Sequence, residues 1–189
     1  MRELSLNILD IAKNSVRANA SAIGVSIEED RAIHTLRITI DDNGCGMDAE
    51  TAAHVVNPFY TTRTTRKVGL GLPFLKMEAE MTGGALNLQS QEGVGTTVTA
   101  VFHTDHVDCL PLGDVGATMQ TLIGGSPDIR FTLKHKFTDT SGRKRELLFD
   151  TEEVKAALGG DVPLDTPEVL SWISEYLKEQ YAELYENTK

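Results

Sequence analysis

Residues 4–20, LSLNILDIAKNSVRANA, set the first constraint on the fold. At 3.6 residues per helical turn, Asn7, Asp10, Asn14 and Arg17 fall in one narrow stripe. Leu4, Ile8, Ile11, Ala12 and Val16 fall on a neighbouring apolar arc. A polar stripe that borders the buried face, instead of lying opposite it, runs along the edge of a cleft. A solvated helix face is usually Lys and Glu, whereas this stripe holds two carboxamides, a carboxylate and a guanidinium. Asn competes for backbone hydrogen bonds and is a mediocre helix former. Two on one face therefore suggest side chains kept for chemistry, against the plainer reading of a solvated face.

The chain has 189 residues, enough for one domain or one domain with an extension. No apolar run of bilayer length occurs, and the start lacks a hydrophobic block followed by a small-residue cleavage site. The two cysteines, Cys45 and Cys109, suit a reducing cytoplasm and no disulfide framework. Net charge is −10, and between Glu146 and Lys189 there are 11 acidic and three basic residues. Such a balance excludes a basic nucleic-acid footprint, so neither a nucleic acid nor a membrane is an expected partner.

After the first helix, Ile23–Ile27 and Leu36–Ile40 alternate apolar with small or polar residues, which predicts an antiparallel strand pair with one buried face. The second strand runs into Asp41-Asp42-Asn43-Gly44-Cys45-Gly46-Met47, where two glycines permit a sharp turn and close approach of a flat ligand. Asp48 is the expected N-cap of a short helix reaching about Val56. Residues 57–67 are rich in Thr and cations and lack periodicity, which suits a loop that is either a soluble surface segment or a lid over an anion. Val68-Gly69-Leu70-Gly71-Leu72 opens a helix with Pro73 in its first turn, and Gly83-Gly84 stops it. A glycine-rich entry to a helix N-terminus suits phosphate. Ala85–Gln91 and Thr96–Phe102 read as strands around Glu92-Gly93-Val94-Gly95.

Beyond residue 104 the chain reads as an acidic extension. A helix is expected at Asp114–Ile123, then a hairpin around Ser141-Gly142 between strands near Ile129–Phe137 and Leu147–Phe149. Thr151 is the expected cap of a short helix. Thr166-Pro167-Glu168 starts a last helix with a buried stripe of Val169, Ile173, Leu177 and Leu184. His135 lies on the apolar line of its strand and reads as a core histidine.

The motifs gain meaning from their order: acid-x-x-x-Asn on a helix, a strand ending in Asp-x-Gly-x-Gly, a Thr/Arg segment, Gly-x-Gly entering a helix, and Gly-Thr on a closing strand. This order resembles the Bergerat-fold ATPases, which include type II topoisomerases, heat-shock chaperones, MutL-type mismatch-repair proteins and histidine kinases. Asp10–Ser21 is most similar to the MutL-type helix. Asn57–Thr62, Gly69–Leu72 and Gly93–Thr97 are most similar to histidine kinases. The resemblance covers about residues 4–102. It implies an α+β, two-layer α/β sandwich with a mostly antiparallel sheet, residues 1–104 forming the ATP-binding domain and residues 105–189 an α+β extension. That extension would pack on the first module, on a partner, or on a second copy in a homodimer.

By the same resemblance, the cofactors would be ATP and Mg²⁺. Asp42 would accept from the adenine amino group, which favours ATP over GTP. Gly44 and Gly46 would admit the base, and Thr96 would contact it directly or through water. Asn14 would hold Mg²⁺. Arg17 would contact phosphate, Gly69, Leu70, Gly71 and Leu72 would offer backbone N–H groups, and Arg63, Arg66 and Lys67 would neutralise phosphate charge.

Asp10 departs from the pattern. Hydrolysing branches place Glu there as general base, and Asp is one methylene shorter, so hydrolysis would be slow. No upstream two-helix dimerisation segment is expected, and neither is self-phosphorylation by the usual route; the expectation is a stand-alone module acting on a separate protein. Two functions follow: a signalling kinase or slow ATPase acting on a protein partner that is a response regulator, of the sigma/anti-sigma type or another phosphoacceptor, and an ATP-gated protein-binding switch without significant turnover.

Overall fold

The computed structural model describes residues 3–56, 71–159 and 162–186. In chain order the elements are α1 (Leu4–Arg17), β1 (Ala22–Asp30), β2 (Thr35–Asp42), α2 (Ala49–His54), α3 (Gly71–Met81), β3 (Ala85–Gln91), β4 (Gly95–His103), α4 (Val115–Gly125), β5 (Arg130–Thr138), β6 (Lys144–Asp150), α5 (Thr151–Ala157) and α6 (Pro167–Leu184). The strands form one six-stranded sheet in the order β3-β4-β2-β1-β5-β6. Every adjacent pair is antiparallel except β1 and β5, which run parallel from Ala22↔Arg130 to Asp30↔Thr138.

Period-two alternation decides the two layers. Ile23, Val25 and Ile27 of β1, Leu36, Ile38 and Ile40 of β2, Val98, Ala100 and Phe102 of β4, and Phe131, Leu133 and Phe137 of β5 are all buried on one face. The helices lie over that face: α1 contacts β1 and β2, α3 contacts β3 and β4, and α5 and α6 contact β6. The opposite face is polar, with Thr39 and Thr99 hydroxyls 3.3 Å apart across β2 and β4, and Glu28 paired with Arg37 and Lys136. Each fully buried Ile, Leu or Phe contributes about 1.5–3 kcal/mol. An exposed ion pair contributes about 0–1 kcal/mol. The covered face therefore holds the fold together, and the polar face mainly solvates it.

Residues 130–150 supply the two strands on the far side of β1, and α4 and α6 pack on each other and on the same core. The stripe of Val169, Ile173, Leu177 and Leu184 on α6 is buried as expected, and so is His135. Two local expectations are corrected. Asp150, not Thr151, caps α5, accepting from the Glu152 N–H at 2.9 Å. The Thr151 hydroxyl instead accepts the Phe131 N–H at 2.9 Å, because the turn from β6 into α5 carries it beneath the sheet. Thr166 precedes Pro167 at the start of α6 but makes no side-chain cap hydrogen bond, so Pro167 itself marks that end.

Candidate functional site

The polar stripe of α1 divides in two. Asp10 and Arg17 are exposed and Asn14 is half-buried, so these three line an open edge. Asn7 is fully buried, a correction to the cleft-edge reading. Its amide Nδ2 donates to the Glu78 carboxylate of α3, because α3 packs over the N-terminal end of α1 and closes the groove there. Asp10 sits where the groove opens. A Cβ built on Gly71 would come within 3.2 Å of the Asp10 Cβ, so the first turn of α3 lies directly against this carboxylate-bearing residue. One turn further along α1, the Asn14 Oδ1 accepts from the Arg17 guanidinium at 3.1 Å. A carboxamide oxygen that already faces a cationic group has the polarity to face a metal ion.

The C-terminal end of α1 meets the loop after β2. Asp42 is the last residue of β2 on the helix-covered face, so its side chain points toward α1. There the buried Ser15 hydroxyl donates to its Oδ2 at 2.5 Å, and the Gly44 N–H donates to its Oδ1 at 2.9 Å. Both carboxylate oxygens are thus anchored on one side and keep lone pairs on the other. The loop is tied down at both flanks. The Cys45 N–H donates to the Ala18 carbonyl at 2.9 Å, and the Gly93 N–H donates to the Cys45 carbonyl at 2.8 Å. The Asn43 Oδ1 accepts from the Ser21 and Ala22 N–H groups, each at 2.9 Å.

Two glycines here are required by geometry. Gly46 has φ +64° and a Cβ on it would lie 1.9 Å from the Gln91 carbonyl oxygen; Gly95 has φ +140° and a Cβ on it would lie 1.9 Å from the Asp42 carbonyl oxygen. The glycines thus let the β3–β4 turn close against the Asp42 loop.

Thr96 of β4 pairs with Asp42 on one side and with Ser90 of β3 on the other, all three on the helix-covered face. The Thr96 and Ser90 hydroxyls are 2.9 Å apart, and the Ser90 oxygen also accepts the Met47 N–H at 2.8 Å. Asp41 points to the opposite face, above Gly24. Burial, reinforced by the charge of Asp42, raises its carboxyl above the usual 3.8.

Asp10, Asn14 and Arg17 thus lie along α1, Gly71 lies against Asp10, and Asp42, Gly44, Gly46 and Thr96 gather at the loop tied to the end of α1; together they are the candidate groove. Leu72 turns into the core from the first turn of α3. Arg63, Arg66, Lys67, Gly69 and Leu70 lie outside the described residues. Ser15 and Ser90 were not among the expected site residues. Ser15 had a signal, since it continues the apolar spacing of Ile8, Ile11 and Ala12 as a polar residue. Ser90 had none beyond its even position on a strand.

The arrangement offers a fixed acceptor at one end and, along α1, an exposed carboxylate and guanidinium with a half-buried carboxamide between them. That row rises about 1.5 Å per residue, so Asp10 and Ala18 lie about 12 Å apart. The model of the histidine kinase-, DNA gyrase B- and HSP90-like ATPase family matches residues 2–106, which holds every element of this groove. The chain belongs to that ATPase family. Its six-stranded mixed sheet under a helical layer is the family's α+β Bergerat architecture.

Curated relatives of this ATPase domain include the sensor histidine kinase YvrG of Bacillus subtilis, 29% identical over 93 residues, 47% of this chain and 16% of that protein. The sensor protein kinase FleS of Pseudomonas aeruginosa is 35% identical over 95 residues, 50% of this chain and 23% of that protein. The chain thus spans less than a quarter of the length of these two relatives. Among solved structures, the N-terminal domain of a DNA repair protein shares the fold, with a TM-score of 0.54, 18% identity, and coverage of 79% of this chain and 53% of that one.

Proposed function

We propose that this ATPase-family domain binds ATP with Mg²⁺ between α1, the Asp42–Met47 loop and the start of α3. It then acts as a signalling kinase or slow ATPase on a separate protein partner, a response regulator, a sigma/anti-sigma type protein or another phosphoacceptor. The observation that carries the reading is the Asp42 carboxylate, anchored by Ser15 and Gly44 with acceptor capacity left toward the groove. An acceptor so oriented suits the exocyclic amine of adenine. A loss of one hydrogen bond to a charged group is worth about 1.5–3 kcal/mol, so Asp42→Ala should weaken ATP binding by about 10- to 100-fold.

The residues fit magnesium by the chemistry of their donors. Asn14 Oδ1 and the Asp10 carboxylate are oxygens, one helical turn apart and open to water, and Mg²⁺ prefers oxygen ligands and retains several waters. When bound, the ion would neutralise phosphate charge. Asn14 would hold it, Arg17 would add a cation beside the phosphates, and Gly71 would bring the first-turn N–H groups of α3 near Asp10. The test is calorimetry with ATP, with and without Mg²⁺, on the wild type, Asn14→Ala and Asp42→Ala, followed by γ-labelled ATP with candidate partners. Folded wild-type protein without heat of binding overturns the proposal. Neither released phosphate nor transferred label overturns its enzymatic form.

A second reading, an ATP-gated binding switch, is favoured by Asp10. Its carboxylate stands on a short stem against Gly71. Asp10→Asn separates the two, since unchanged activity in cells with this variant, but none with Asn14→Ala, supports the switch. Cytoplasmic location is part of the same proposal. Among the described residues no helix is long and apolar enough to cross a membrane, and Cys45 and Cys109 are free thiols.

A further inference from the structure

We infer that Ser90 determines base specificity: by holding the Thr96 hydroxyl proton it leaves the Asp42–Thr96 edge with acceptors only, which selects a 6-amino over a 6-oxo purine triphosphate. The inference rests on the ATP-binding reading and names a residue that acts on the base through another.

Three side chains stand in one row across neighbouring strands. Asp42 is the Cα partner of Thr96, and Thr96 is the Cα partner of Ser90. The Ser90 oxygen has three polar neighbours: the Met47 N–H at 2.8 Å, the Gly95 carbonyl at 3.1 Å and the Thr96 hydroxyl at 2.9 Å. A hydroxyl has one proton and two lone pairs. The backbone N–H can only donate and the carbonyl can only accept. Ser90 therefore gives its proton to Gly95, accepts from Met47, and has one lone pair left, so the third contact is Thr96 donating to Ser90. All three valences of Ser90 are then used.

The consequence falls on Thr96. Its single proton is committed to β3, and its oxygen keeps only lone pairs for a ligand. Asp42 is acceptor-only for the same purpose, its anchoring protons coming from Ser15 and Gly44. An edge of two acceptors matches a 6-amino group, which has protons to give. Against a 6-oxo group it sets acceptor against acceptor, and an unmade buried hydrogen bond discriminates more strongly than a lost methylene. Without Ser90, the Thr96 hydroxyl is free to turn its proton toward the oxo group.

The test compares ATP and inosine triphosphate by calorimetry, two nucleotides that differ in the 6-substituent and in the N1 proton that accompanies the 6-oxo group; the readout is the change in their affinity ratio between wild type and variant, in which the N1 difference is common to both proteins. In Ser90→Ala the ratio of their affinities is expected to fall about tenfold, chiefly through tighter inosine triphosphate binding, the value of about one hydrogen bond. Ser90→Thr, which restores a hydroxyl, should keep the wild-type ratio. In a Thr96→Val background, Ser90→Ala should leave the ratio unchanged, because the group it acts through is gone.

Should Ser90→Ala fail to fold, Ser90→Cys gives the same readout, since a thiol is a weak acceptor and releases the Thr96 proton. Equal weakening of both nucleotides in a folded variant marks a structural role only and overturns the inference. So does an unchanged ratio. Wild-type protein that binds neither nucleotide overturns the ATP reading itself, a result that differs from tight ATP binding with a flat ratio.

Discussion

Replacing His135 by Phe should flatten the acid dependence of stability. His135 is fully buried on the helix-covered face of β5. Its Nδ1 is 3.3 Å from the Tyr181 hydroxyl, and its Nε2 lies 3.8 Å from the Glu29 carboxylate without a hydrogen bond. The rings of Tyr181 and Tyr185 meet it edge-on at 5.6 and 6.0 Å. Burial disfavours the imidazolium and pushes its pKa from 6.5 down to about 4. Between those two values the unfolded chain holds a proton that the folded chain refuses. The contribution is therefore fully present above pH 6.5 and is lost as pH falls toward 4. At 1.36 kcal/mol per pH unit, that window is worth about 3 kcal/mol.

Urea unfolding of wild type and His135→Phe between pH 7 and 4 measures it. Carboxylates common to both proteins titrate in both, so the difference between the two slopes isolates this residue. Equal slopes would refute the burial argument, whatever the absolute stabilities.

Ser15→Ala should weaken ATP binding about tenfold by releasing the Asp42 carboxylate, whereas Ser21→Ala, which removes a hydroxyl that accepts from the Asn43 amide in the adjacent turn, should change it less than about twofold in the same calorimetric titration. Asp41→Asn should raise the melting temperature at pH 7 and give no gain near pH 3. Its carboxyl is raised in the folded state, so native stability declines as pH climbs from the unfolded value of 3.8, and the amide removes that decline. Thr151→Val leaves the Phe131 N–H buried without its acceptor; chemical denaturation should register a loss of about 1–3 kcal/mol with an unchanged m value.

Strands and helices were legible where one period dominated. Ile23–Ile27 and Leu36–Ile40 alternate because one face is buried and one is wet, and that pattern needs no knowledge of neighbours. The candidate site was proposed from the order of its motifs; Asp42, Asn14 and the Gly71 helix entry are far apart in sequence, and the fold brings them together around α1. What resisted reading were properties of the packing partner. A helical wheel placed Asn7 beside Asp10, but nothing in α1 announces that α3 closes over one end of the stripe. Ser15 signalled its oddity without naming Asp42, 27 positions away. Asp150 and Thr151 are both capping types, and the exit of β6 decided between them. The parallel pairing of β1 with β5 has no local signature, because either strand alone could equally border solvent.

That last pairing has a consequence on the ribosome. Ala22 waits for Arg130, 108 positions later, before β1 gains its second neighbour. At about 5–20 residues per second, the delay is on the order of 5–20 seconds. Through that interval the nascent chain shows an open strand of nine residues, AIGVSIEED, to any other chain nearby. Unpaired strand edges invite such trespass, and charged residues blunt them. Glu28, Glu29 and Asp30 crowd one end of this strand, charge of the kind that blunts an open edge until β5 arrives.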